Sequence, residues 1–280
     1  MDSLTSRRDF LKLGLIGSLA LRISPKYNSQ TLANGLLDDF PTEIPGARSV
    51  EKEKIRGASK TLVHVRQMHN VEVPFPMEDL MEDGVFISEG HKNVAREIIG
   101  IYEGIANTQK DIYSIVRYLM SNNNLGEVFA EGVSLDSEIF LNEYPNESIV
   151  FQMKEVLASG YFGKSVEDLP RDIIYIAGAE LILASQLGLN IRATESFGLN
   201  KLVIETSRTD PELNDIGNDL REDLALDLIS LSESPLDVMI YGGYHKWSDN
   251  IQDWNLKNPD KKYSLIEVTP KSYKVRNVRN

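Results

Sequence analysis

The sequence contains no cysteine, and this absence limits the chemistry that the chain can perform. Without thiols there are no disulfides, no thiolate metal ligands and no cysteine nucleophile. Histidine is scarce too, with four residues among 280. Histidine, carboxylate and hydroxyl side chains are therefore left to carry any catalysis or metal binding.

The apolar run nearest the N-terminus is too short to cross a membrane. It extends from Leu13 to Leu21 and is broken by Gly14 and Gly17. A helix of this length reaches only about 14 Å, whereas the hydrocarbon core of a bilayer is about 30 Å thick. We therefore expect the apolar region of a signal peptide here rather than a stable membrane span.

A twin-arginine pattern stands directly before this run. Residues 6–12 read Ser-Arg-Arg-Asp-Phe-Leu-Lys and match S-R-R-x-F-L-K at every position. The pattern predicts that residues 1–33 are a signal peptide, that the twin-arginine translocase is a partner during export, and that the protein is extracytoplasmic. Small residues at 18–20 and 31–33 leave the cleavage site open, and an uncleaved signal would anchor the chain. Cargo of this route often carries a cofactor, which favours a bound metal or other ligand.

Charge is divided unevenly along the chain. The net charge is −12, with +3 on residues 1–33 and −15 on residues 34–280, which hold 25 basic and 40 acidic residues. A body this acidic repels phosphate backbones and anionic membrane surfaces. We therefore expect no nucleic-acid partner, and membrane contact only through an uncleaved signal.

Strand-like and helix-like segments alternate after a polar region at 34–58, which we predict to be a linker. The remaining residues, 59–280, are predicted to form one domain. Its expected strands are 61–69, 127–130, 191–194, 237–241 and 263–268, and its expected helices are 90–122, 173–187 and 211–231, the last interrupted near Gly217. This order predicts an α/β fold with a largely parallel or mixed central sheet flanked by helices. Residues 134–172 are predicted to be a helical insertion.

Residues suited to chemistry follow four of the predicted strands, namely His69, Glu131, Glu195 and His245. Because the carboxyl ends of parallel strands meet at one edge of a sheet, we expect these side chains to converge. Two imidazoles and two carboxylates suit a divalent metal such as Zn²⁺ or Mn²⁺. Taken singly, each residue is also compatible with an ordinary structural role.

Three further positions are assigned to the same edge. Gly242 and Gly243 precede His245 and would let the backbone or a ligand approach closely. Arg221 lies in the helix before the last of these strands, where it could neutralise an anion or hold a carboxylate in place. A solvated helix face is the alternative for Arg221. His64 is expected on the opposite face from His69, within the core.

The order of these residues resembles the TraB/ChaN/erythromycin-esterase-like superfamily, which includes the Tiki proteases. The likeness covers roughly residues 60–255 and is clearest at 109–113, 129–132, 221–223 and 241–245. It implies that the two histidines, the two glutamates and the arginine line one site. The chain departs from the family at Arg66, where the first Gly-x-x-His motif has glycine. We assign Arg66 with the two glycines to cofactor or ligand contacts, because an arginine there would narrow the site or supply a charge.

The resemblance implies a hydrolase of a small molecule or peptide, since family members resemble metal-dependent peptidases or hydrolyse esters. A metal held by His69, His245 and one glutamate would lower the pKa of a bound water towards about 7. Glu131 or Glu195 would act as general base, and Arg221 would stabilise the oxyanion. A metal-free form would use a histidine as the base. Two alternatives stay open: a haem- or ligand-binding protein that uses the same cleft, and a degenerate structural module.

Overall fold

The computed structural model describes residues 37–68, 89–122, 125–135, 166–169, 171–187, 189, 191–207 and 209–274. Its elements alternate between strand and helix over most of their order. They are β1 (Ala47–Glu53), β2 (Lys60–Gln67), α1 (Glu89–Asn122), β3 (Val128–Ser134), a 3-10 helix (Val166–Asp168), α2 (Arg171–Leu187), β4 (Ile191–Glu195), α3 (Phe197–Thr206), α4 (Pro211–Ile229), β5 (Leu236–Gly242), α5 (Trp247–Lys257) and β6 (Tyr263–Pro270).

Six strands form one mixed sheet in the order β1-β6-β2-β5-β3-β4. Five of them run parallel, and β1 pairs antiparallel with β6 at one edge. The predicted α/β class with a largely parallel sheet is thereby confirmed. The carboxyl ends of β2, β3, β4 and β5 share one edge, which is where open α/β sheets bind ligands.

Helices cover both faces of the sheet. Successive side chains of a strand point to opposite sides, so the apolar residues of one strand contribute to two cores. Val63 and Val65 of β2 lie in the core beneath α1 and α2. Leu62 of β2 points to the opposite face of the sheet. It belongs to a second core there, together with Trp247 and Ile251 of α5. Both faces of the central strands are therefore buried, and the apolar run Val-Met-Ile-Tyr of β5 is typical of such a strand.

Helix α1 confirms the helix predicted over 90–122. Its apolar residues recur at spacings of three and four, which places them on one face of a helix. The side chains that this face buries include Ile105, Ile112, Ile115, Val116 and Leu119. The burial of these side chains against the sheet and α2 fixes the helix in place.

Helix α2 confirms the helix predicted over 173–187 and adds a kink within it. Gly178 has φ 66° and ψ 170°, a left-handed φ that favours glycine. The Ala179 N–H donates to Oε1 of Gln109 in α1 at 2.8 Å. The kink is therefore held by a buried side chain of the neighbouring helix.

The prediction of a polar linker at 34–58 is wrong for the part that the structure describes. Strand β1 lies within it, and Leu37, Phe40 and Ile44 are buried in the core beneath α1. Pairing with β6 satisfies the backbone of β1 although its sequence is rich in charge. The α/β domain therefore includes this arm and begins before residue 59.

Helix α4 is continuous, so the interruption predicted near Gly217 is also wrong. A Cβ at position 217 would lie 2.8 Å from Cγ2 of Val203, so the glycine allows α3 to approach closely. Helices α3 and α5 are additions to the predicted elements. Residues 136–165 of the predicted insertion, and the predicted signal peptide, lie outside the described residues. Within the described ranges, none of the helices combines the length and apolar character needed to span a bilayer.

Candidate functional site

An arginine joins two glutamates at the carboxyl edge of the sheet. Nη2 of Arg221 in α4 donates to Oε1 of Glu131 at 2.8 Å and also to Oε1 of Glu195. The exposed fractions of the Arg221, Glu131 and Glu195 side chains are 8%, 6% and 1%. One buried cation is therefore paired with two buried carboxylates. Breaking such a buried arrangement leaves an uncompensated charge and is strongly destabilising.

The ends of the strands supply further partners to this triad. Pairing of β3 with β5 stops at Ala130, and the next residue turns its carboxylate towards the end of β5. There the Gly242 N–H donates to Oε2 of Glu131 at 2.6 Å. The hydroxyl of Tyr241 donates to Oε1 of Glu195 at 3.5 Å. The carboxylates are thus fixed by both side-chain and backbone donors.

The charges of the triad keep its members in defined protonation states. Burial lowers the pKa of Arg221, but the negative charges of Tyr241 (when ionised), Glu195 and Glu131 raise it by more, so the net direction is upward. Burial, followed by the charge of Glu131, raises the pKa of Tyr241 well above its usual value. At neutral pH the guanidinium is therefore charged and the phenol is neutral.

A histidine–glutamate pair lies beside the triad. Nδ1 of His245 is hydrogen-bonded to Oε1 of Glu222, and Nδ2 of Asn250 donates to Oε2 of the same glutamate at 2.7 Å. The ring of Tyr241 meets the imidazole edge-on, with 4.8 Å between centroids. Burial raises the pKa of Glu222, but the hydrogen bond and charge of His245, followed by Asn250 and Arg221, lower it by more. An ionised carboxylate can only accept, so Nδ1 carries the proton.

A cleft of about 590 Å³ brings the triad and the pair together. Its lining is polar, with four carboxylates, two permanent cations and one imidazole among ten residues. These are Glu131, Asn218, Asp219, Arg221, Glu222, Tyr244, His245, Lys246, Asp249 and Asn250. The volume is within the range of small-molecule sites.

Most of the residues that the sequence assigns to one edge of the sheet do lie near one another. Glu131, Arg221 and His245 line the cleft, Glu195 is the third member of the triad, and the Gly242 N–H donates to Glu131. They come from β3, β4, α4, β5 and the turn after it. Convergence of strand ends, the physical basis of the prediction, is what joins them.

Two predicted site residues have other surroundings. Arg66 is not among the residues lining the cleft, and its Nη2 donates to Oε2 of Glu267 in β6 at 3.1 Å. A Cβ on Gly243 would lie 2.1 Å from the hydroxyl oxygen of Tyr273, so glycine is required there for packing. Ligand contact by either residue is not needed to explain its position.

Two further histidines, His64 and His69, belong to β2 and to the residues after it. His64 is buried, as expected, and its Nε2 lies 3.1 Å from the carbonyl oxygen of Tyr241. Burial lowers the pKa of His64, which suits a structural role in the core. His69, the predicted metal ligand after β2, lies outside the described residues.

The predicted metal ligands that are described already have other partners. Glu131 and Glu195 share Nη2 of Arg221, and Nδ1 of His245 is bonded to Glu222. Within residues 37–274, excluding the gaps named above, no group of three or more histidine and carboxylate side chains is arranged to hold a metal ion. The described donors therefore do not fit a metal, and a ligand set that includes His69 stays a prediction.

Another buried carboxyl group lies at the end of β2, where the sequence predicts no acid. Glu180, just after the kink in α2, is 8% exposed, and Nε2 of Gln67 donates to its Oε1 at 2.7 Å. Burial raises the pKa of Glu180 to about 7, and the negative charge of Glu131 acts in the same direction. A carboxyl group that titrates near neutrality at a sheet edge is a candidate for function.

Glu222, Asn250 and Glu180 are the functional candidates that sequence reasoning misses. Glu222 stands next to Arg221, but its partner depends on the orientation of α4 against the turn after β5. Asn250 belongs to α5, which the sequence does not predict. Glu180 reaches the edge only because α2 is kinked, and a single glycine in a helical pattern is a weak signal for that.

Fold and site together define an α/β protein with a polar cleft at the carboxyl edge of a mostly parallel sheet. Comparisons of the chain with protein families, curated proteins and solved structures give no match. The geometry of the cleft is therefore the feature that bears on function.

Proposed function

We propose that the chain is a hydrolase of ester or amide bonds that uses His245 as general base. The observation that supports this most is the hydrogen bond between Glu222 and His245 in the wall of a cleft that also contains Arg221. A carboxylate that holds one imidazole nitrogen fixes the tautomer and orientation of the ring. The same pairing is found in enzymes of unrelated folds that activate a hydroxyl group or a water molecule.

The proton balance of the reaction follows from this pairing. With Nδ1–H donated to Glu222, Nε2 of His245 has a lone pair for a proton of water. The water oxygen attacks the carbonyl carbon as the proton passes to Nε2. The bond to the leaving oxygen or nitrogen then breaks, and the imidazolium returns the proton to that atom. Glu222 stabilises the imidazolium that forms between the two steps.

Arg221 supplies positive charge where the carbonyl oxygen becomes an anion. Its Nη2 is engaged by the two glutamates, but its Nε has no hydrogen-bond partner within the described ranges. Its Nη1 has only a long contact of 3.4 Å with Asn218. Nε is buried, so the N–H groups of Nη1 are the ones that can donate to a developing oxyanion, and such donors are often the largest single contribution to rate. Because Glu131 and Glu195 are paired with the guanidinium, we assign the role of general base to His245 and not to either glutamate.

This reaction requires no step through a metal or haem. Glu131 and Glu195, the carboxylates at the ends of β3 and β4, are engaged by Arg221. The lining of the cleft is polar and acidic, whereas the pockets that hold large planar cofactors are mostly apolar. Neither cofactor is therefore part of the proposal.

We also propose that the hydrolase acts outside the cytoplasm. The support is the twin-arginine pattern at residues 6–12, followed by a short apolar run. Replacement of Arg7 and Arg8 by lysine should retain the chain in the cytoplasm of a producing cell. Unchanged fractionation of that variant with the extracytoplasmic proteins would contradict export by this route.

The function is tested with a panel of p-nitrophenyl esters and aminoacyl p-nitroanilides. We expect His245→Ala and Glu222→Gln to lower kcat/KM by about 10²- to 10⁴-fold, the usual contribution of a general base. Glu212→Gln is the matched control, because this exposed residue lies in the same helix and not in the lining of the cleft. Hydrolysis should continue in EDTA. Full activity of His245→Ala, or complete loss in EDTA, would contradict the mechanism.

A further inference from the structure

We propose that Glu180 and Gln67 form a second subsite, beside the cleft, that binds an amine group of the substrate as its ammonium ion. This inference rests on the proposed hydrolase function. The carboxylate is nine-tenths buried, and the one side chain that donates to it is Gln67. Among the described residues no lysine, arginine or histidine forms an ion pair with it. A buried carboxylate without a cation is costly, and a cationic ligand would supply the missing charge.

An unpaired acceptor next to this carboxylate points to the same kind of ligand. Oε1 of Gln67 is buried and has no hydrogen-bond partner within the described part of the chain. The same amide group donates to Glu180 through its Nε2. The two acceptors, Oε1 of Gln67 and the carboxylate of Glu180, are therefore close neighbours. An ammonium group carries only donors, so one such group placed between the two acceptors would satisfy both, whereas an anionic ligand would be repelled.

The kink in α2 is what makes room for this carboxylate. Oε2 of Glu180 lies 2.5 Å from the position that a Cβ on residue 178 would occupy. A Cβ at that position would require the carboxylate to shift, and any residue other than glycine would be strained at φ 66°. The helix therefore departs from regular geometry at the one point that lets Glu180 turn towards the end of β2. Irregular backbone that is held in place by neighbours is often associated with function.

Backbone contacts connect the subsite with the cleft. The carbonyl oxygen of Gln67, the last residue of β2, accepts from the Gly243 N–H at 3.0 Å. The adjacent Gly242 N–H donates to Glu131, which lines the cleft. Subsite and cleft thus meet at the ends of β2 and β5. An amine-bearing ester or amide is the substrate class that would occupy both.

Charge at the cleft agrees with a cationic substrate. Its lining has four carboxylates against two permanent cations, and one of those cations, Arg221, is neutralised by two glutamates. The negative potential of such a cleft attracts cations from solution. An acidic lining alone would not identify a ligand, but here it has the same sign as the buried carboxylate.

The test uses methylammonium chloride as the probe, with the full chain at pH 8, where Glu180 is mostly ionised. Saturating methylammonium should raise the melting temperature by about 2–4 °C, and potassium chloride at equal ionic strength should not. Glu180→Gln and Gln67→Leu should each abolish the rise. Glu205→Gln, an exposed acid in α3, is the matched control and should keep it. Circular dichroism establishes that each variant is folded.

Each alternative gives a different result. An equal rise in Glu180→Gln, or no rise in the parent chain, would overturn the subsite and leave Glu180 as a neutral buried acid. An equal rise with potassium would show a site for any monovalent cation, and would overturn the assignment to amines. His245→Ala should lose hydrolysis but keep the response to methylammonium. If His245→Ala stays active while the response is present, the proposed function fails and the amine subsite remains.

Discussion

Replacement of Glu180 by glutamine should make the protein more stable at neutral pH. The two side chains have nearly the same shape, and the glutamine carbonyl can still accept from Nε2 of Gln67, which is 2.7 Å from the carboxylate. What the substitution removes is a buried ionisable group whose charged form has no cationic partner within the described ranges. A gain in stability from a change at a well-packed position is unusual, so the outcome is informative.

The size and pH range of the effect follow from the pKa of Glu180, which burial raises from 4.5 to about 7. Below pH 4.5 the group is protonated in both the folded and the unfolded chain, and it does not affect stability. Between pH 4.5 and 7 the unfolded chain ionises first, so the free energy of unfolding falls as pH rises. Above pH 7 the loss is complete. Since one pKa unit is worth about 1.4 kcal/mol, the total loss is about 3 kcal/mol.

The assay is urea denaturation of the parent chain and the variant at pH 4.5, 6 and 8. Glu180→Gln should match the parent at the lowest pH and exceed it by up to about 3 kcal/mol at the highest. Glu205→Gln, at an exposed position, should follow the parent at every pH. A difference that does not change with pH would refute the reasoning, and so would a variant that is less stable at pH 8.

Two further predictions concern the carboxyl edge of the sheet. Arg221→Met should destabilise the fold by about 3–5 kcal/mol at pH 7, because it leaves two buried carboxylates without their cation. The measurement is urea denaturation, and a loss below about 1 kcal/mol at pH 7 would contradict the buried triad. Gly243→Ala should cost about 1–3 kcal/mol, because the new Cβ would lie 2.1 Å from the hydroxyl oxygen of Tyr273. In a Tyr273→Ala background the same substitution should be tolerated, and equal losses in both backgrounds would disprove the clash.

The sequence predicts those parts of the fold whose pattern is strong and local. Helix α1 repeats its apolar spacing over 34 residues, and β5 contains the apolar run Val-Met-Ile-Tyr, so both are identified. Strand β1 is missed because its sequence, Ala-Arg-Ser-Val-Glu-Lys-Glu, has no apolar alternation. It is a strand because β6 offers it a free edge, and that depends on tertiary structure.

The candidate site divides in the same way. Glu131 and Glu195 can be predicted because each follows a parallel strand, and topology alone brings strand ends together. Their shared contact with Arg221 depends on how α4 lies across the sheet, which no local pattern specifies. The contacts of Glu222 and Glu180 are harder to predict. The contact of Glu222 with His245 depends on the turn after β5, and the position of Glu180 depends on the kink at Gly178. Residues placed by topology are therefore predictable, whereas Glu222 and Glu180, whose contacts depend on helix orientation or on a kink, are not.

The sequence separation within the triad has a consequence for how the protein would acquire the proposed activity. Glu131 is bonded to Arg221, 90 positions later, and to Gly242, 111 positions later. No short stretch of the chain contains the machinery, and the closure of such long loops belongs to the slow, late part of folding. A partly folded or truncated chain should therefore show no measurable hydrolysis in a turnover assay. Appearance of catalysis during refolding would mark the moment at which the whole sheet has assembled.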